Sequence, residues 1–473
     1  MHAPAQLRTT TARLVGTRLR TFLCVATLLS VFLSIHLSAS GRLLFPYVAA
    51  FATSLALICL EWRRVSIGVV IAAFLLLIAT VAFFALSIPY AVAPSRRLLS
   101  LVQMYVAFIA NYGLFLGLSA LPSRTVSRLF MYLAVVVLIV ATLEVHFGLR
   151  PFVDAVRSMI HQQYYDDTIR DLELYGAVRP SAFSSEPSLV GIFWGLSLCG
   201  WLLADPDKCG FRRLVVAALL TAAAIFVIRS PTIFYAVTVT VIGLIVYQLR
   251  RSANPGVRLI KSASLFACFV LVVASTSLLA YASNAFGGLI EDIVTGDSFY
   301  SRQIGPYRLA SSMVDHSPFF GFGLGGDAEM TPYAMDAFSP VIENMLAGAY
   351  EADVASVPGM AINFSEGKTS HLLTNSFWQF WISFGILGGA IIASIVAFAL
   401  AQLGVREIGF VLLGATLMGQ TMGGIVIVPA WAPLFVIAAL TTHWDDASRR
   451  RQVGRRLFMK PPNRLSAYSQ LAV

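Results

Sequence analysis

The sequence predicts an all-α protein, a polytopic transmembrane helix bundle of about 12 spans with a long outward-facing loop containing short helices. Of the 473 residues, 58% are hydrophobic and 12% are charged, and the mean hydropathy is +0.77. Soluble domains carry about 25% charged residues, so this composition indicates a membrane protein. Apolar runs recur at lengths near the ~20 residues that a helix needs to cross a bilayer. One long polar stretch, 283–372, interrupts them.

Twelve hydrophobic runs are candidate spans. They are 21–38, 43–60, 67–88, 98–120, 129–148, 187–204, 213–229, 232–249, 261–282, 373–402, 408–427 and 431–443. The first run, from Thr21, lacks an A-x-A-type cleavage site, so we expect the protein to retain it as a span. The tenth run is long enough to tilt or to begin outside the bilayer, and the last is short.

The distribution of basic residues predicts which loops face the cytoplasm. With a cytoplasmic N terminus, the inside segments hold 23 of the 34 lysines and arginines and carry a net charge of +17, against −7 for the rest of the chain. Basic loops stay in the cytoplasm, so we expect both termini inside and 283–372 outside. Spans one to nine then lie in 1–282, with an outer segment near 150–186. Spans ten to twelve lie in 373–443, before a basic cytoplasmic tail, 444–473.

Composition also limits the kinds of partner that the protein could bind. The net charge of +10 comes from cytoplasmic loops and a tail that would touch anionic lipid, so we expect membrane lipid and no nucleic acid. The five cysteines lie in or beside apolar runs without metal-ligand spacing, and we interpret them as small buried hydrophobes.

Charges at the outer ends of apolar runs are costly unless they face a cavity or a partner. Arg179 and Glu186 flank the start of the sixth span. They form either an outer-surface ion pair or a site where Arg179 grips a phosphate and Glu186 orients it or takes a proton. Arg229 lies at the outer end of the seventh span, where it either faces a cavity or snorkels to the surface.

The long loop holds a third candidate place. Arg302 and Arg308 accompany a predicted amphipathic helix over 307–314, and a glycine-rich stretch containing Gly323 follows. Successive N–H groups in such a stretch can cradle an anion. The alternative is that Pro-Phe-Phe-Gly-Phe-Gly forms a bend lying on the membrane surface.

A fourth place lies where the chain enters the tenth span. His371, Thr374 and Asn375 share one face of the predicted helix. Histidine is the usual general base near neutral pH. A lone histidine near a membrane surface is, however, more often structural than catalytic.

In their order along the chain, these places resemble the Wzy-type O-antigen polymerase and O-antigen ligase superfamily of bacterial surface-polysaccharide enzymes. The resemblance covers most of the chain from the fifth span onward. The similar parts are Arg179-Phe183-Glu186-Pro187, Arg229-Ser230, Pro318-Gly321-Gly323, and Thr374-Asn375 before Gly385-Ile386-Leu387-Gly388. Members often have histidine where Thr374 stands, and their hairpin is more often Ser-Arg than Arg-Ser.

The resemblance implies a glycosyltransferase of the bacterial inner membrane with a periplasmic active site. It would join undecaprenyl-diphosphate-linked oligosaccharide repeat units into O-antigen, capsule or exopolysaccharide, with a chain-length regulator and a flippase as candidate partners. One alternative is a ligase that transfers the glycan to lipid A-core. Others are a transporter of lipid-linked oligosaccharides and a non-enzymatic assembly partner. The candidate residues cluster outside and no internal repeat is apparent, which favours surface chemistry over transport.

The resemblance also implies roles for individual residues. Arginines would bind and stabilise the departing diphosphate in place of a metal, so no metal or other cofactor is expected. The general base would be His371 or Glu186, and Asn375 would position the sugar. The diphosphate would be held by Arg179, Arg302 and Arg308, with Arg229 a weaker candidate and Gly323 beside them.

Overall fold

The computed structural model describes residues 3–33, 37–39, 42–45, 47–87, 91–92, 94–161, 171–172, 176–251, 300–339, 375–420 and 422–458. Within these ranges the regular elements are helices apart from one short hairpin, which confirms the predicted helical class. The helices are α1 (Ala3–Phe32), α2 (Val48–Leu60), α3 (Ile67–Ser87), α4 (Pro94–Ala120), α5 (Ser123–His146), α6 (Arg150–Ile160), α7 (Pro187–Leu203), α8 (Phe211–Ile228), α9 (Thr232–Arg251), α10 (Gly305–His316), α11 (Asp327–Ala337), α12 (Ser376–Gln402), α13 (Ile408–Gly419) and α14 (Val428–Phe458). Short 3₁₀ turns cover Trp62–Arg64 and Pro206–Lys208, and a π turn covers Tyr300–Ile304.

Six of these helices are long and apolar enough to cross a membrane: α3, α4, α5, α8, α9 and α12. Shorter apolar helical stretches are α2, α7, α13 and Val428–Trp444 of α14. The chain is therefore compatible with a membrane protein. The total of about 12 spans stays a prediction, and the run 261–282 lies outside the described residues.

The predicted boundary between the first two spans is wrong. Helix α1 ends at Phe32, and β1 (Leu37–Ala39) then pairs antiparallel with β2 (Arg42–Phe45) before α2 begins. Ser40-Gly41 between the strands favours a turn, and Pro46 cannot take part in a continuous helix. These breakers explain why two apolar runs do not become two longer helices.

The predicted run 408–427 is helical only in its first part. Helix α13 ends at Gly419, and the described residues 420 and 422–427, before α14, are irregular. The side chain of Gln379 accepts a hydrogen bond from the N–H of Ile425 at 2.7 Å. Irregular backbone at membrane depth needs such partners inside the protein.

Helix α4 lies at the centre of the bundle. It packs against α14 and α2, while α7 packs between α5 and α9 and α12 packs along α3. The contact between α2 and α4 is close because Gly113 faces Ser54, whose hydroxyl donates to the carbonyl of Ala110 at 2.5 Å. Small residues at helix contacts let two backbones approach in this way.

Polar contacts join loops that the charge pattern predicts on the same side. Arg250 pairs with Glu407 at 3.0 Å, and both belong to segments predicted inside. Arg97 pairs with Glu329 at 2.9 Å, and both belong to segments predicted outside. We refer to the end of the bundle that holds Arg97 and Glu329 as the outer end. Which end faces the cytoplasm stays a prediction.

Candidate functional site

Arg179 is held in a buried ion pair at the outer end. Its backbone N–H and its Nε donate to the two carboxylate oxygens of Asp171 at 3.0 and 2.7 Å. Its carbonyl accepts from Arg150 at 2.9 Å. The surface ion pair with Glu186 is therefore the wrong interpretation, because Asp171 takes that place. The contact of Arg179 with phosphate stays a prediction, and its visible role is to fix the segment before α7.

Glu144, at the end of α5, organises the same segment. Its carboxylate is buried and accepts from the N–H groups of Ser181 and Ala182 at 2.9 and 2.7 Å and from Arg150 at 3.0 Å. Ala182 and Phe183 have φ of 44° and 70°. Consecutive left-handed residues with side chains cost about 1–3 kcal/mol each, and they persist where surrounding contacts over-determine them. Sequence patterns mark Glu144 only as an acid in an apolar run.

Helix α6 supplies two further contacts to this segment. Arg157 is fully buried and donates to the carbonyls of Ser184 and Ser185 at 2.9 and 3.2 Å. Nε2 of His161 lies 3.0 Å from the carbonyl oxygen of Phe183, to which it donates. Burial lowers the pKa of His161, and the nearby charge of Arg157 adds to this effect. No sequence motif singled out either side chain, because each is recognised only by the backbone that it binds.

Glu186 occupies a different environment from these buried groups. It is exposed, and the hydroxyl of Ser188 donates to its Oε2 at 3.0 Å. Pro187 begins α7 directly after it, since proline lacks the N–H that is unsatisfied at a helix start. Glu186 can therefore meet a ligand from solvent while rigid elements hold its backbone.

The Arg229-Ser230 hairpin packs beside this segment. Ser230 is buried, hydrogen-bonds Thr232 at 2.8 Å, and presses against Gly191 of α7, where a Cβ would lie 2.6 Å from its hydroxyl. Arg229 is half-buried with φ of 51°, and its Nη1 lies 3.9 Å from the position of a Cβ on Gly176. The guanidinium of Arg229 thus adjoins the chain that leads to Arg179.

Arg302 approaches the same end from the long loop. It lies half-buried in the π turn before α10, within electrostatic range of Tyr235 in the first turn of α9. Arg308 is exposed on α10, with its guanidinium 5.6 Å from the ring centroid of Tyr300. Helix α10 contains the amphipathic helix predicted over 307–314, and Pro306 in its first turn explains where it starts.

Asn375 joins this turn to α12 and to the end of α13. Its Oδ1 accepts from the N–H groups of Phe377 and Trp378 and caps α12, and its Nδ2 donates to Arg302 O and to Gln420 Oε1 at 2.8 Å each. The side chain is fully buried. These contacts give Asn375 a structural role, and its contact with a sugar stays a prediction. Thr374 and His371, the predicted general base, lie outside the described residues.

The glycine-rich stretch fills a break in α12. At Gly385 the helix has φ of 66° and ψ of −176°. There the N–H groups of Phe322 and Gly323 donate to the carbonyls of Ile382 and Ser383 at 2.9 and 3.0 Å. In return, the N–H groups on the far side of the break donate to the loop: Ile386 to Pro318 at 2.8 Å and Gly388 to Phe319 at 3.1 Å.

This pairing corrects the anion-cradle interpretation. The N–H of Gly323 is already bound within the protein, and a Cβ at this position would collide with the buried guanidinium of Arg97. Substrate binding by Gly323 stays a prediction that these contacts do not support. Phe319 and Phe320, in the same loop, are exposed, as the alternative interpretation of a bend on the membrane surface expects.

The site residues therefore converge from distant parts of the chain. The segment before α7, the α8–α9 hairpin and the turn before α10 place Arg229, Arg302, Tyr235 and Glu186 at one end of the bundle. Among the described residues, no group of three or more His, Cys, Asp or Glu side chains could hold a metal ion. Comparison with family models, curated proteins and solved structures gives no match. Guanidinium groups can bind an anion, and an exposed carboxylate can accept a proton.

Proposed function

We propose that the protein is a membrane glycosyltransferase that polymerises oligosaccharide repeat units carried on undecaprenyl diphosphate. One observation carries this proposal: Arg229 adjoins Gly176 in the segment before α7, and Arg302, from a distant part of the sequence, lies within electrostatic range of Tyr235 in the first turn of α9. Gathering cations at one end of an apolar bundle suits a substrate with a charged head and a lipid tail. Metal-independent transfer on the outer face of the bacterial inner membrane, with both termini cytoplasmic, belongs to the same proposal.

The chemistry divides between leaving group and acceptor. The acceptor hydroxyl oxygen attacks the anomeric carbon of the donor sugar, and the bond from that carbon to the lipid diphosphate breaks. Negative charge then grows on the diphosphate, where Arg229 and Arg302 stabilise it in the transition state. Glu186, exposed at the same end of the bundle, takes the proton from the hydroxyl, and His371 is the alternative base.

The buried ion pairs have a supporting role in this mechanism. Glu144 and Asp171 neutralise Arg150 and Arg179 and fix the backbone that leads to Glu186. A base held within about 0.5 Å of its working position needs such a shell. We therefore assign Arg179 a positioning role. We assign diphosphate binding to the half-buried Arg229 and Arg302, with Arg308 at the entrance of the site.

A deletion strain complemented with variants tests this proposal. Arg302→Ala and Arg229→Ala should remove the polysaccharide ladder while membrane expression persists. Arg250→Ala is the matched control, because Arg250 is an arginine at the opposite end of the bundle, paired with Glu407. Near-normal ladders in the first two variants, or equal losses in all three, would overturn the assignment of the arginines.

Product analysis of the deletion strain separates the alternatives. Single repeat units on lipid A-core without a ladder are expected for a polymerase. Long chains remaining on the carrier above bare core would instead identify a ligase. An unchanged profile would contradict both.

The broken helix α12 favours a transporter as a second candidate function. Transporters often place substrates at discontinuous helices. Here the chain's own loop, 318–323, fills the break at Gly385. Movement of lipid-linked oligosaccharide across liposomes without joining of units would support transport over transfer.

A further inference from the structure

An apolar groove opens between α12, α13 and α14. Its volume is about 270 Å³, close to the lower end of the range for small-molecule pockets. Aromatic and small side chains line it, including Phe380, Ala393, Ala415 and Trp431, and Ser376 and Gly419 lie at one end. This lining suits an apolar ligand.

That end of the groove adjoins the arginine site. Ser376 donates to the carbonyl of Gly419 at 3.1 Å, so these two residues close one end of the groove. Their immediate neighbours, Asn375 and Gln420, hydrogen-bond each other, and Asn375 also holds the carbonyl of Arg302. The Asn375–Gln420 pair, which positions Arg302, therefore lies directly next in sequence to the two residues at this end of the groove.

A second apolar cavity in the described part of the chain provides a comparison. It also measures about 270 Å³ and lies between α3, α4, α12 and α14. Its lining includes Val65 and Leu403, near the end predicted to face the cytoplasm, together with Ala399 of α12. The two cavities thus match in size but differ in their position relative to Arg302.

We propose that the groove between α12, α13 and α14 binds the isoprenoid chain of the lipid carrier next to its diphosphate. This inference rests on the proposed function. A lipid carrier needs a cationic site for its diphosphate and, close by, an apolar site for its isoprenoid tail. The groove beside Arg302 provides the apolar site. The tail passes from the bilayer to the groove without leaving an apolar environment, so close packing in the groove, rather than exclusion of water, favours its binding.

Two alanines on α12 give matched variants. Ala393 lines the groove and Ala399 lines the other cavity, and both are half-buried. Ala393→Phe should fill the groove, whereas Ala399→Phe makes the same chemical change elsewhere. Equal thermal unfolding midpoints would show that both variants fold.

The experiment uses the full chain in lipid nanodiscs and a benzophenone-bearing polyprenyl diphosphate as a photo-crosslinking probe. We expect labelled peptides from α12–α14, a loss of about tenfold in Ala393→Phe because the phenyl ring overfills the groove, and little change in Ala399→Phe. Excess undecaprenyl diphosphate should compete with the probe, and phosphatidylglycerol should not.

Several outcomes would overturn the inference. Equal labelling in both variants would place the tail elsewhere. Competition by phosphatidylglycerol as strong as by undecaprenyl diphosphate would make the groove a general lipid site. Absence of wild-type labelling on α12–α14 would mean that a segment of the chain or another lipid fills it.

Transfer activity separates this inference from the proposed function. Polymerisation with unchanged labelling in Ala393→Phe would leave the function standing and refute the groove. Labelling of the groove without any glycosyl transfer would support the lipid site and refute the transferase.

Discussion

Gly385→Ala should disrupt the contact that fills the break in α12. The wild-type backbone conformation, φ 66° and ψ −176°, belongs to a region that is essentially restricted to glycine, and forcing alanine into it costs about 1–3 kcal/mol. The added Cβ would lie 2.5 Å from the backbone nitrogen of Gly321 and 2.6 Å from that of Phe320. Because these are backbone atoms, the whole loop 318–323 must move.

The size of the effect follows from the hydrogen bonds that the movement breaks. Four backbone hydrogen bonds join the loop to α12, and each contributes about 1 kcal/mol net. Together with the backbone strain, the expected loss is about 5–7 kcal/mol. Gly404→Ala is the matched control: Gly404 also has positive φ, at 79°, but nothing lies within 4 Å of a Cβ there. It should lose about 1–2 kcal/mol.

Thermal unfolding in detergent and hydrogen–deuterium exchange measure this difference. Gly385→Ala should lower the unfolding midpoint well below that of Gly404→Ala and speed exchange in 318–323 and 382–388. Similar unfolding midpoints in the two variants, with unchanged exchange in both segments, would refute the interpretation that the loop 318–323 stabilises the break in α12.

Three other substitutions test the outer end. Glu144→Ala should destabilise the protein by about 3–5 kcal/mol in thermal unfolding, because it leaves Arg150 and two buried N–H groups without their acceptor. Glu144→Gln should destabilise it less, and equal losses of stability in the two variants would contradict this. Burial lowers the pKa of His161, so its contribution to stability is full above pH 6.5 and is lost as the pH falls below that value. On acidification the unfolding midpoint should drop more in the wild type than in His161→Gln. Parallel curves of midpoint against pH would contradict this. Asn375→Asp keeps the cap acceptor of α12 but turns a buried carboxylate toward the carbonyl of Arg302, so exchange at 300–304 should rise and the unfolding midpoint should fall. Asn375→Ala also loses the cap, which is worth about 0.5–2 kcal/mol, and unchanged exchange at 300–304 in both variants would contradict this.

Hydropathy predicts the helices well where nothing interrupts the backbone. The run 67–88 becomes α3, which ends one residue earlier, and Pro187 and Pro306 mark helix starts. It fails where apolar residues adopt other backbones. The strands Leu37–Ala39 and Arg42–Phe45 replace the ends of two apolar runs, and at Gly385 a single glycine within an apolar run does not specify a break.

The candidate site was predictable in composition rather than in contacts. Arg229 and Arg302 stood out because charges near membrane helices need a reason. The pairing of Arg179 with Asp171 could not be predicted, since it depends on how an irregular segment turns. Asn375 as a helix cap was accessible from sequence, because asparagine directly before an apolar helix is a start signal.

The most direct test of the central proposal is reconstitution of the purified protein in liposomes with undecaprenyl-diphosphate-linked repeat units. The account predicts a ladder of joined units and released undecaprenyl diphosphate, lost in Arg302→Ala and retained in Arg250→Ala. Repeat units that stay single, or that cross the bilayer without joining, would contradict it.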